Sequence, residues 1–246
     1  MRNLISIVTV VLTLASFGAK AADKINVQVP LQSYAALSPN ASKLQFLGGL
    51  KAGMKPAEVE QFLTGQGYKL SESAQSRIVT CSDVERGVNL IGNEFLGFQM
   101  YEKSTDAYNE MIKINYTSEV FGNGLGYFTI SRGYRQGGQP EFKSVLDEFV
   151  SSYGKYAEGK EYGWGVFTKW YWKQNEPVDN SSKESAYLEV RFKGKDGKLN
   201  GLEATFSDSS ATTRERNAQY AMRDAICKLG EKAMKDAGPK DLQLPQ

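Results

Sequence analysis

Hydrophobic and polar positions along this chain change period several times, and each change marks an element. Val59, Phe62 and Leu63 recur at helical spacing behind Pro56, which predicts a first helix from Pro56 to about Gln66. Proline suits the first helical position, and Glu58 and Glu60 suit the positive end of the helix dipole. Alternation with period two then predicts four strands: 77–82, 95–102, 110–117 and 125–132. In the second of these, Leu96, Phe98 and Met100 are expected to share the buried face; in the third, Ile112, Ile114 and Tyr116. The helical period returns in Phe142, Val145, Leu146, Phe149 and Val150, predicting a second helix from Pro140 to Tyr153, capped by Gly154. Strands follow at 166–173, 186–193 and around Leu202, Ala204 and Phe206, with Asp196-Gly197 as a turn. A stripe of small side chains from Ala218 to Ala233 predicts a third helix, from about Thr213 to Ala237.

The pattern divides the chain into 1–21, 22–46 (an extended lead-in), 47–136, 137–237 and a tail at 238–246. The expected fold class is α+β: two helix-plus-antiparallel-meander units, with a tandem duplication and a chance likeness both open as their origin, and the C-terminal helix packed on the sheets. Pro56 and Pro140 open the two units in the same way.

Composition adds an address. Arg2, the apolar run from Leu4 to Leu14, and Ala19-Lys20-Ala21 read as a secretory signal peptide cut between Ala21 and Ala22. The run is too short for a comfortable membrane span. Its removal takes Arg2 and Lys20 and leaves 28 basic against 28 acidic residues. Such a balance gives no footprint for nucleic acid or an anionic membrane. The expected protein is soluble and periplasmic or secreted. In an oxidising compartment the only two cysteines, Cys81 and Cys227, read as a disulfide.

The chain has no histidine. Imidazole-dependent nucleophile activation is therefore excluded, and so is the commonest zinc ligand. No cofactor, metal site or catalytic residue is assigned. Ser152-Tyr-Gly-Lys155 has the Ser-x-x-Lys spacing of penicillin-recognising enzymes, but it ends a predicted helix where that chemistry needs a helix start. The glycines at 122, 124 and 126 precede a strand, so they read as a hairpin loop and not as a phosphate cradle.

Residues 47–63 carry a resemblance. Gly53, Met54, Glu58, Val59 and Leu63 resemble the Gly-Met-x-x-x-Glu-Val-x-x-x-Leu opening of the β-lactamase-inhibitor-like and SmpA/OmlA-like group of bacterial envelope proteins. The group favours Ser or Thr where this chain has Lys55. The resemblance implies helices packed on an antiparallel sheet and a role in binding other proteins. It carries no inhibitory residue onto this chain.

One local signal stands out on chemistry alone. All three tryptophans fall within nine residues, beside Tyr162, Phe167 and Tyr171. Tyr162, Trp164, Trp170 and Trp172 are the candidate binding residues, because large aromatics near glycine-rich loops anchor protein partners or sugar rings. Trp170 and Trp172 also fit the core of a sheet packed under a helix. Two functions are carried forward. One is a non-enzymatic binding or inhibitor-like module for an envelope or extracellular protein. The other is a secreted hydrolase using two carboxylates, acting on glycans or envelope material.

Overall fold

The computed structural model describes residues 41–77, 80–83, 88–91, 94–118, 122–179, 185–195 and 197–208, with residues 213, 215–217, 220 and 227–228 beyond them. The expected signal peptide, most of the lead-in and the body of the third helix lie outside the described residues. The chain forms two compact units. One comprises 1–32, 77–95 and 216–246; the other comprises 33–76 and 96–215.

The larger unit is built on a sheet, and the sheet overturns the expected α+β class. The strands are β1 (Lys69–Arg77), β4 (Glu94–Ser104), β5 (Tyr108–Tyr116), β6 (Leu125–Tyr134), β7 (Glu158–Tyr162), β8 (Gly165–Lys173), β9 (Glu176–Val178), β10 (Ala186–Lys195) and β11 (Lys198–Asp208). They make one nine-stranded sheet in the order β1-β4-β5-β6-β11-β10-β8-β7, with β9 also paired to β8. The fold is mainly β. The two expected meanders are not separate units: β6 and β11 pair antiparallel, Ile130 opposite Ala204 and Phe128 opposite Phe206, and fuse them. Both meanders bury one face and leave a last strand to be covered, so joining those strands satisfies two rows of backbone groups at once.

Two short helices lie on one face, α1 (Pro56–Gly65) and α2 (Phe142–Tyr153). Lys55 occupies the N-cap of α1 without a side-chain cap, and the Glu58 carboxylate accepts the Lys55 backbone N–H at 2.7 Å. That is half of a capping box, and it offsets the missing Ser or Thr. Phe142 and Phe149 of α2 meet Phe192 edge-on, with ring centroids 5.5 Å apart in each case.

The core lies between these helices and the sheet. Strand β10 supplies Ala186, Leu188, Val190 and Phe192 to it, as its alternation requires. In β4 the expected face is reversed: Phe95, Gln99 and Tyr101 are buried, while Leu96, Phe98 and Met100 are not. Gln99 causes the miss. Its side-chain oxygen accepts the hydroxyls of Tyr101 and Tyr116, so a polar residue sits inside fully engaged. The lead-in also contributes to the core. Ala41 and Phe46 are buried, and Phe46 packs against Phe128, Phe206 and Tyr153.

In the smaller unit, β2 (Thr80–Asp83) pairs antiparallel with β3 (Val88–Ile91), Cys81 opposite Leu90. Cys81 is thus on a two-stranded sheet of its own and not on the large sheet that the sequence suggested. Both cysteines belong to this unit. The side chain of Cys81, and with it the expected pairing with Cys227, lies outside the described residues.

Candidate functional site

The four candidate aromatics part company along one hairpin. Trp170 and Trp172 are each 2% exposed and belong to the core. Tyr153 of α2 meets both rings, and the Trp170 indole donates to the Gly154 carbonyl at 2.8 Å. Neither can touch a partner. Tyr162 is 42% and Trp164 46% exposed. They lie at the tip of the β7–β8 hairpin, around the two-residue turn Gly163-Trp164 that links Tyr162 to Gly165. Their rings stack on each other with centroids 5.0 Å apart and planes 8° apart. Lys160, two residues back on the same face of β7, places its ammonium 5.2 Å from the Tyr162 centroid.

The turn that carries the pair is fixed from behind. Gly165 has φ +148°, and a Cβ there would lie 1.9 Å from the Phe192 carbonyl oxygen. The Gly194 N–H donates to the Trp164 carbonyl at 3.1 Å. The backbone of Trp164 is therefore tied to β10 while its indole stays in solvent. One indole face is used by Tyr162, so the exposed surface is its other face and its edge.

Tyr162 belongs to a row that crosses the sheet on the face opposite the helices. The register pairs Tyr162 with Gly165, Gly165 with Lys193, Lys193 with Gly201, Gly201 with Gly133, Gly133 with Asn109, and Asn109 with Ser104. Three of the seven positions are glycine. The neighbouring row runs Lys160, Phe167, Arg191, Glu203, Ser131, Met111 and Glu102. Lys193 and Glu203 form an ion pair at 2.5 Å. At the far end Arg135 donates to Ser104 Oγ at 2.8 Å and to Asn109 Oδ1 at 2.9 Å. An open depression of about 490 Å³ lies there, lined among others by Ser104, Asn109, Met111 and Ser131.

Glu102 and Glu110 also border this depression. Along β5 and β4 they point to opposite faces, as strand alternation demands. Glu110 is turned inward with a fully buried side chain, where it accepts Arg132 Nε at 2.5 Å and the Tyr68 hydroxyl. Burial, and then the hydrogen bond to Glu110, push the Tyr68 phenol well above its usual range. Burial works against the Arg132 charge, but the bond to Glu110 outweighs it and holds the guanidinium charged. This cluster is a structural ion pair, and the two carboxylates do not converge as a hydrolytic pair. Among the described residues no cluster of three or more Cys, Asp or Glu is placed to hold a metal ion, and no helix is long and apolar enough to cross a membrane.

The sequence found the hairpin pair through its aromatic density. It missed the glycine row, because Gly133, Gly165 and Gly201 are far apart in the chain and become neighbours only through strand register. Compared with protein-family models, characterised proteins and solved structures, the chain matches none.

Proposed function

We propose that the protein is an exported binding module that engages its partner through the Tyr162–Trp164 pair. The observation that carries this reading is a rigidly mounted, mutually stacked aromatic pair held in solvent. Large rings cost free energy when left in water, and here neither serves the core. The backbone ties at Gly165 and Gly194 limit the ordering cost that a partner would have to meet. The resemblance at Gly53–Leu63 points to the same class. Export and the Cys81–Cys227 disulfide belong to this reading, with the leader removed after Ala21.

The test is recovery of binding partners from envelope extract by the mature chain and by its Trp164→Ala variant. The expected result is a component retained by the wild type and lost from the variant, with both proteins equally folded by circular dichroism. Equal retention of the same component by both would remove the pair from the function.

A further inference from the structure

We propose that Met111 is a modification site: a thioether placed for oxidation to the sulfoxide by a hydroperoxide, and for return by a thiol-dependent sulfoxide reductase. The inference stands apart from the Tyr162–Trp164 reading. Met111 is on β5, third from the opposite edge of the sheet. Alternation sets its direction. Glu110 and Ile112 on either side of it are buried, so Met111 points away from the core. It is 39% exposed, and among the described methionines it alone is exposed. The other two are protected. Met54 is half-buried against the core, and its sulfur accepts the Lys51 N–H at 3.1 Å. Met100 is half-buried on β4. Oxidation of a thioether needs an oxidant to reach the sulfur and a lone pair free to attack it, so these environments rank Met111 first.

The surroundings also suit the product. Met111 lines the open depression of about 490 Å³ together with Lys69, Ser71, Glu102, Ser104 and Ser131. Glu102 and Ser131 are its direct partners in the register of the two neighbouring strands. A sulfoxide oxygen is a stronger hydrogen-bond acceptor than a thioether sulfur, and the Lys69 ammonium and Ser131 hydroxyl bordering the depression are donors. The same oxygen on Met54 would intrude on core packing. In the forward step the Met111 sulfur attacks the terminal peroxide oxygen. An S–O bond forms, the O–O bond breaks, sulfur gives up two electrons, and the peroxide leaves as water or an alcohol. In the return step a dithiol supplies two electrons and two protons. The oxygen leaves as water and the dithiol becomes a disulfide.

The test exposes the mature protein to a low dose of hydrogen peroxide and follows one added oxygen at each methionine by peptide mass over time. The expected result is oxidation of Met111 about fivefold faster than of Met54 and Met100. Circular dichroism should not change while Met111 is converted. Methionine sulfoxide reductase with dithiothreitol should then remove the oxygen from the folded protein. Met111→Leu, a swap of similar volume on the solvent side, should keep the fold and lose the fast phase. In concentrated urea the three methionines should react alike. Oxidation of Met54 or Met100 as fast as Met111 in the folded protein would overturn the inference. So would a preference for Met111 that persists in urea, or a Met111 sulfoxide that the reductase leaves in place.

Discussion

At the scale of single residues, environment separates side chains that the sequence presents as alike. Trp164 and Trp172 lie eight positions apart, yet one faces solvent and the other the core. Trp172→Ala should cost about 3–5 kcal/mol, through lost transfer free energy and the cavity left behind. Trp164→Ala should stay within about 0.5 kcal/mol of wild type. Urea denaturation of the two variants checks the contrast. Glu110→Gln leaves the Arg132 charge beside a neutral partner and should cost about 3 kcal/mol in the same assay. Burial raises the phenols of Tyr101 and Tyr153 to about 12. A folded-state value above the unfolded value, about 10, means that their contribution is intact below that pH and lost as pH rises through 12. Stability should therefore fall on the alkaline side, read as a urea midpoint that drops as pH rises. Burial likewise raises the Glu215 carboxyl, despite the Ser118 N–H it accepts at 2.7 Å. Glu215→Gln should then be more stable than wild type at pH 7, and the difference should shrink as pH falls through the carboxylate range.

At the scale of elements, strong alternation or helical periodicity was legible and weak periodicity was not. The sequence placed α1, α2, β5, β6, β8 and β10 to within a few residues, because each carries apolar side chains at a consistent spacing. It missed β1 and β7, both at sheet edges. β7 reads Glu-Gly-Lys-Glu-Tyr, and all five residues are exposed. Such strands exist through pairing with a neighbour and bury no apolar face of their own, so no apolar pattern announces them. Their charges also blunt the edges against pairing with another chain. The β7–β8 hairpin depends instead on one glycine. Gly165→Ala places a methyl carbon against the Phe192 carbonyl and should destabilise by about 2 kcal/mol or more. It should also increase amide exchange in residues 158–166, while the β5–β6 region keeps its protection.

At the scale of the whole molecule, the sheet is the site's architecture. Gly133 comes into line with the aromatic pair only because β11 pairs with β6 and joins the two meanders into one surface. The proposed disulfide would act on the other unit, closing a loop of 146 residues between positions 81 and 227. By chain-entropy scaling it is worth roughly 5 kcal/mol at most. Alkylation before and after reduction should add two labels only after reduction, and reduction should lower the thermal midpoint. Two thiols labelled without reductant would refute the pairing. The sequence by itself determined what depends on local order: the periods that make the main strands and helices, the absence of imidazole chemistry, and the aromatic density at 162–172. Tertiary structure alone decided what depends on register and burial. It fused two expected units into one sheet, drew Trp170 and Trp172 into the core, and left Trp164 outside. It also lined up three distant glycines, because strand pairing brings together residues whose separation along the chain carries no record of their contact.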